Sequence, residues 1–498
     1  MSKKLVKSFG YKALQITVLI AYSFFLVPVL LTFWDLKVYG TWIALYVIFN
    51  LVNVVEFGHS TYVGNEFNRL VHDQRDKAFK VLASAVKANY FVVLLELLVV
   101  YLFYFFGLLD YFLDEDIDTL EVTYVLLILF LYRLLIGSFR GVVVKALNPF
   151  GLIYKAFQFN LTEKIIEFLI LSIAAILGFS LLELAWLWLA VKLVYSGIII
   201  YEIRRLLKEA YPSWSQGSLK EGLLNFKRSL YYSGSNFLDR LVNDGIVLLI
   251  SAFVGTTAVP LFAATRVLVN FGLKLSEFFL MPLTPEIINF YAKKEFGKIL
   301  DVIRSFWFVT GSILIVGFLS SLFFIEPLFD IWTNKKLDFD YTLYGFLITI
   351  FLVQNSGKIS LAFFTAINKT KLVFATSVMR VLLFFGFAYL FKNYELYGIL
   401  AGLLLSELLI VGIWFPMNAF KIFDLGLSEK FGYYSNYLSA LSAGVFIYGV
   451  IDNMNWLLIL LSALPLILTL FHQYKAISIQ TRSLILGKFK NAAGFLRR

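Results

Sequence analysis

Apolar residues fall in long blocks along this chain, separated by short polar connections. A helix that crosses the hydrocarbon of a bilayer needs about 20 predominantly apolar residues. Uncharged runs of that size cover 13–34, 38–55, 305–325, 431–451 and 453–474. Allowing up to three charges per run adds 89–109, 121–144, 165–182, 184–203 and 231–253, then 258–281, 341–365, 372–391 and 397–419. The pattern predicts fourteen spanning helices, with the division between 254 and 259 the hardest to place.

Composition agrees with the blocks. Of 498 residues, 60% are apolar, 18% aromatic and 15% charged, and mean hydropathy is +0.80. A soluble protein carries about 25% charged residues. Soluble enzymes, nucleic-acid binders and disordered chains are excluded, so the net charge of +11 is read loop by loop and not as a nucleic-acid footprint. With an inside N-terminus, 31 Lys and Arg fall in inner connections and tails. Four lie outside: Lys37, Lys335, Lys336 and Lys392. The outer connection 110–121 has six carboxylates and no Lys or Arg. This bias predicts both termini in the cytoplasm. The first apolar run is long enough to span and is followed at once by another, so no cleavable signal peptide is expected. With no cysteine and three scattered histidines (His59, His72 and His472), neither a disulfide nor a metal centre is expected, and no cofactor. No GxxxxGK[ST] loop occurs, which argues against ATP hydrolysis by that route.

The chain also repeats itself. Sliding by 220 residues places 40–81 on 260–301, matching Ala44 with Ala264, Val47 with Val267, Asn50 with Asn270 and Glu66 with Glu286. Copies six spans apart share an orientation, which means parallel repeats. Transporters built this way hold their substrate between the halves and rock them to alternate access.

Short motifs carry a family resemblance. The first span is followed by Val38-Tyr39-Gly40-Thr41-Trp42, and the second by Glu56-Phe57-Gly58 and Asn65-Glu66-Phe67-Asn68-Arg69. The seventh span carries Asp239-Arg240 and Asp244 ahead of Gly255, and the eighth leaves through Pro282-x-x-Pro285-Glu286. In these features the chain resembles the O-antigen and capsule polysaccharide flippases of the multidrug/oligosaccharidyl-lipid/polysaccharide exporter superfamily. One departure is Glu56, where many relatives carry Asp. The resemblance implies an all-α polytopic protein of about 14 transmembrane helices in a bacterial cytoplasmic (inner) membrane. Residues 1–205 would form an N-terminal six-helix lobe, 206–228 a basic cytoplasmic linker and 229–420 the second lobe, with 421–498 adding two helices and a basic tail. The implied substrate is a polyprenyl-diphosphate oligosaccharide moved from the inner to the outer leaflet, and the implied partners are a polysaccharide polymerase or other membrane proteins of the assembly pathway.

Charges inside spans are costly and mark cavities or pathways. Nine basic residues lie in or beside spans. Lys12, Lys164, Lys274 and Lys358 sit near inner ends, where they can snorkel. Lys192, Arg240, Arg266 and Arg380 lie roughly 12–16 Å deep at the helical rise. Arg133 and Arg140, seven apart, are expected to share a face as a basic stripe. Arg240 and Asp244 stand at i,i+4 and either neutralise each other or bind ligand. Lys192, Arg266 and Arg380 have no acid three or four positions away, so each pairs across helices or faces a wet cavity, and the cavity is the preferred expectation. Such a basic cavity suits a diphosphate, which guanidinium groups bind bidentately. Asp239, Asp244, Glu56, Glu66, Glu96 and Glu407 are the candidates for charge pairing or for a proton or cation site. Asn50, Asn236 and Asn270 are candidates for glycan contact, as are Trp42, Tyr231, Tyr232 and Asn355. The alternatives are a cation-coupled multidrug or small-molecule antiporter, whose cavity would be acidic and aromatic, and a membrane glycosyltransferase or polymerase. The last would need catalytic residues in a sizeable outer loop, and the outer connections 110–121 and 326–340 are short.

Overall fold

The computed structural model describes residues 3–112, 117–280, 283–367, 369–423, 427–452 and 454–476. The acidic run Asp114-Glu115-Asp116, Pro282 and the basic tail from 477 lie outside the described residues, as do the side chains of Lys12, Tyr231, Tyr232 and Pro285. Every regular element among the described residues is helical. The protein is an all-α multi-pass membrane chain: eleven described helices are long and apolar enough to cross a bilayer. Three more reach membrane length with more polar sequence, 153–176, 219–254 (in two pieces) and 427–451.

The chain divides into two compact units, Met1–Leu261 and Phe262–Arg498. The first contains α1 (Lys3–Phe33), α2 (Leu36–Leu70), α3 (Arg75–Phe105), α4 (Thr119–Tyr132) and α5 (Ser138–Lys145). It continues with α6 (Ile153–Ile176), α7 (Leu181–Leu207), α8 (Leu219–Asn243) and α9 (Ile246–Val254). Its inner core packs Phe67, Phe79, Leu82, Val142 and Ile203, all essentially buried. The division falls within α10, later in the chain than the linker read from the sequence. The cause is α8, which lies along α2 and α3. Gly58 of the Glu-Phe-Gly motif permits that approach: a Cβ there would stand 2.7 Å from the Ser233 Cα. Gly40 of the Tyr-Gly motif does the same one end further on, where a Cβ would lie 2.0 Å from the Thr256 carbonyl oxygen. Both motif glycines are packing devices.

The second unit holds α10 (Val259–Leu280), α11 (Thr284–Ala292), α12 (Phe296–Ser321), α13 (Ile325–Trp332) and α14 (Tyr341–Ala366). It ends with α15 (Thr370–Leu390), α16 (Glu395–Leu409), α17 (Phe415–Phe423), α18 (Leu427–Ile451) and α19 (Trp456–Ala476). Ile303, Phe306, Phe363, Phe364, Val411 and Phe415 form its core.

Helix starts follow local chemistry. Asp35, Asp118, Ser180 and Asp340 each accept a bond from the first turn of α2, α4, α7 and α14, and Ser180 with Glu183 closes a capping box. All four stand in connections the charge bias assigns to the outside. Gly255, at φ 109°, separates α9 from α10 and settles the uncertain division there.

Four predicted spans are redrawn. The fifth begins at Ile153 and not at 165, because Glu163, Lys164 and Glu167, which a low-charge window rejects, are neutralised inside the helix. The fourth and twelfth carry a single π turn each, Arg133–Gly137 and Ile410–Trp414. The seventh breaks at Asp244–Gly245 between α8 and α9.

The internal repeat is visible in element boundaries. Starts pair as Arg75 with Phe296, Thr119 with Tyr341, Ile153 with Thr370 and Leu181 with Glu395. Four helix starts of the first unit thus recur in the second at similar separations along the chain.

Candidate functional site

Among the described residues, buried charge is concentrated in three clusters. In the first, the π turn that follows α4 places Arg133 between α2 and α3, where its guanidinium is ion-paired with both Glu56 and Glu96. The two carboxylates are not equivalent. Glu56 also accepts from Asn89 Nδ2 at 3.0 Å and from Ser138 Oγ at 2.8 Å, whereas Glu96 has Arg133 as its partner. All three charged residues are under 10% exposed. With both carboxylates ionised, the cluster carries one negative charge in excess.

The second cluster joins α5, α6 and α7. Arg140 forks Glu163 bidentately, Nη1 to Oε2 at 2.9 Å and Nη2 to Oε1 at 3.0 Å. Lys192 of α7 binds Glu163 as well, and Glu167 at 2.9 Å, while Lys164 closes on Glu167 from one turn away. Three cations against two carboxylates leave one positive charge in excess. Aromatic rings surround it: the Lys192 ammonium lies 5.1 Å from the Trp188 ring centroid and 5.6 Å from that of Tyr132, and Lys164 lies 5.4 Å from Tyr22. Phe49 stands edge-on to Trp188 at 5.7 Å, and Trp42 stacks on Tyr46 at 5.9 Å, so α2 supplies a rigid wall of rings.

The third cluster lies in the second unit. Arg380 of α15 meets Glu407 of α16 through two contacts, Nε to Oε1 at 3.0 Å and Nη2 to Oε2 at 3.1 Å. Gln354 of α14 donates to Oε1 at 2.9 Å. Glu407 is fully buried, and this pair is balanced.

These contacts correct the expected basic cavity. Lys192 and Arg380 take the other alternative, carboxylates on a neighbouring helix, because hydrocarbon penalises an unpaired charge more than it penalises a pair. Arg133 and Arg140 do not form one stripe: the π turn between them adds a residue to the turn, and they reach different acids. Lys164 does not snorkel but is bonded within the membrane segment. Lys358 and Lys274 both reach Glu277, at 3.5 and 3.3 Å.

Arg240 is more than half exposed, at the end of α8, 3.4 Å from Asp244. Asp239, one turn before the same break, accepts from Asn243 through its carbonyl at 2.8 Å. Arg266, half-buried on α10, lies over the Phe262 ring at 5.7 Å. Glu66 bridges Arg69 at 2.6 Å on the surface. Asn50, Asn236 and Asn270 are half-buried on α2, α8 and α10, and Asn355 is buried with its amide on Thr310 at 3.3 Å. Sequence reasoning missed Glu163, the acid that holds two of its candidate cations. Its signal was depth: along the α6–α7 hairpin, Glu163 and Glu167 stand about as far before the turn as Lys192 stands after it.

No protein-family model matches the sequence, and no curated protein sequence matches it. Solved structures do. The inward-facing conformation of a multidrug resistance MATE family transporter of the MOP superfamily superposes with a TM-score of 0.65 at 14% identity, over 85% of this chain and all of that one. An outward-facing conformation of such a transporter gives 0.53 at 14% identity, over 85% of this chain and 96% of the other. A point variant of the Vibrio cholerae MATE transporter VcmN gives 0.56 at 15% identity, with the same two coverages. At this identity the likeness establishes architecture: the chain has the fold of the MATE transporters of the MOP superfamily.

Proposed function

We propose that the protein is a secondary transporter that moves an amphipathic solute across the membrane by alternating access, coupled to a cation gradient. The carrying observation is the Glu56–Arg133–Glu96 cluster. Two buried carboxylates on one guanidinium leave a charge that a bound proton or cation neutralises, and such intramembrane groups belong to ion pathways. Export of a small molecule by antiport fits this cluster and the transporters of like fold. The protein is a carrier in this reading and not a catalyst.

Flipping of a polyprenyl-diphosphate oligosaccharide is the second reading. It is supported by the excess positive charge around Lys192, the aromatic wall beside it and the sequence resemblance to polysaccharide flippases. A bacterial inner membrane would then be its location. The charge sign no longer separates the two readings, because most of the deep cations are neutralised by acids.

Reconstitution in sealed liposomes decides between them. A fluorescent polyprenyl-diphosphate oligosaccharide and a lipophilic cation are followed in parallel, under an imposed pH or sodium gradient. Gradient-driven movement of the cation alone supports antiport. Protein-dependent movement of the glycolipid alone supports the flippase. Movement of neither substrate under any gradient counts against a transporter.

A further inference from the structure

The segment between α7 and α8 is ordered against α3 and presents a basic, partly apolar face outward. From 204 to 228 it carries six basic residues, Arg204, Arg205, Lys208, Lys220, Lys227 and Arg228, against Glu209 and Glu221. Three contacts clamp it. Lys80 Nζ binds Glu221 at 2.7 Å, Lys87 Nζ donates to the Gly217 carbonyl at 2.6 Å, and the Ser218 amide donates to Ser84 Oγ at 2.9 Å. Gly222 completes the seat: a Cβ there would stand 2.2 Å from the Ser84 carbonyl oxygen, so α8 touches α3 backbone to backbone.

That seating fixes which face of α8 looks outward. Gly222, Asn225 and Ser229, at i, i+3 and i+7, are buried. The opposite stripe, Lys220, Leu224, Lys227 and Arg228 at i, i+4, i+7 and i+8, is exposed, with Leu224 at 49%. Glu221, the acid beside this stripe, is already held by Lys80. A face of Lys and Arg with leucine among them matches the boundary between headgroups and acyl chains.

We propose that this stripe is a docking surface for anionic phospholipid headgroups, which fixes the start of α8 at the membrane surface. The partner follows from the chemistry. Three cations on about two turns attract a surface dense in phosphate, and the exposed leucines enter the acyl boundary only there. The same helix lies along α2 through Gly58 and Ser233, so lipid occupancy bears on the first unit's packing. The inference holds whichever solute is carried.

The absence of cysteine makes the test direct. Gln216→Cys, in the exposed loop, takes an environment-sensitive fluorophore on the otherwise wild-type protein in neutral detergent. Dioleoylphosphatidylglycerol and dioleoylphosphatidylcholine are titrated in separate experiments. The expected result is a saturable response to phosphatidylglycerol alone, lost in high salt. Lys227→Gln should raise the half-saturating concentration roughly fivefold, and Lys220→Gln with Lys227→Gln and Arg228→Gln by on the order of 100-fold. These are exposed positions, so folding is preserved. Equal responses to the two lipids, or an unchanged midpoint in the triple variant, would overturn the proposal.

Discussion

The unequal surroundings of Glu56 and Glu96 lead to a ranked prediction for three substitutions at one cluster. Arg133→Gln leaves two carboxylates in a buried site with no cation. Removing one partner of a buried ion pair costs about 3–5 kcal/mol, and the second carboxylate places this variant at the upper end. Glu56→Gln removes one of two acids, but it also converts the charge-assisted bonds from Asn89 and Ser138 into neutral ones. A bond to a charged group contributes about 1.5–3 kcal/mol and a neutral one about 1, so two such conversions lose about 1–4 kcal/mol. Glu96→Gln loses no bond to Asn89 or Ser138 and leaves Arg133 neutralised by Glu56, so its stability should lie within about 1 kcal/mol of wild type. The assay is the temperature at which detergent-purified protein leaves the monodisperse peak in size-exclusion chromatography. The expected order of loss is Arg133→Gln, then Glu56→Gln, with Glu96→Gln last. If Glu96→Gln falls as far as Glu56→Gln, the carboxylates are equivalent and the bonds from Asn89 and Ser138 do not set them apart. In liposomes, Glu96→Gln should retain binding of the transported solute and lose its response to an imposed ion gradient.

Three further predictions test the packing and the other clusters. Lys192→Met leaves Arg140 on Glu163 and Lys164 on Glu167, a balanced network, so the protein should fold in near-normal yield; under the flippase reading it should still lose movement of the diphosphate-linked glycan, measured in the same liposomes. Arg380→Glu and Glu407→Arg should each lower stability by about 3–5 kcal/mol, and the double variant should recover most of that in the same heating assay. Gly58→Leu should abolish folded yield by forcing α2 from α8, and Ser233→Gly should not restore it, because the obstruction includes the Ser233 Cα at 2.7 Å.

Hydropathy located the membrane segments because hydrocarbon acts on every residue of a span at once, and that average survives local errors. It misplaced the start of the fifth helix where charges are paired, since a residue-by-residue scale has no knowledge of partners across helices. The same blindness hid Glu163 and made Lys192 look unpaired. Arg380 and Glu407 were both flagged, but their meeting depends on how α15 and α16 return past each other. The spacing of Arg133 and Arg140 misled for another reason: a π turn has no signature in residue types, and one inserted residue redirects the second guanidinium. The motif glycines were conspicuous in the sequence, yet only the helix seated against each gives them a purpose.

The ion pairs of α6–α7 and α15–α16 occupy corresponding steps of the internal repeat with their signs exchanged. The acids stand on α6 and the cation on α7 in one copy, while the cation stands on α15 and the acid on α16 in the other. During insertion the chain releases these similar hairpins into the same lipid. A mistaken partnership of α6 with α16 would set Glu407 against Glu163 and Glu167 with Lys164 as the one cation among them, and one of α7 with α15 would set lysine against arginine. Both are repulsive where no water screens them. In a chain with repeated halves, the exchanged signs favour the native pairing within each hairpin over a pairing between corresponding hairpins.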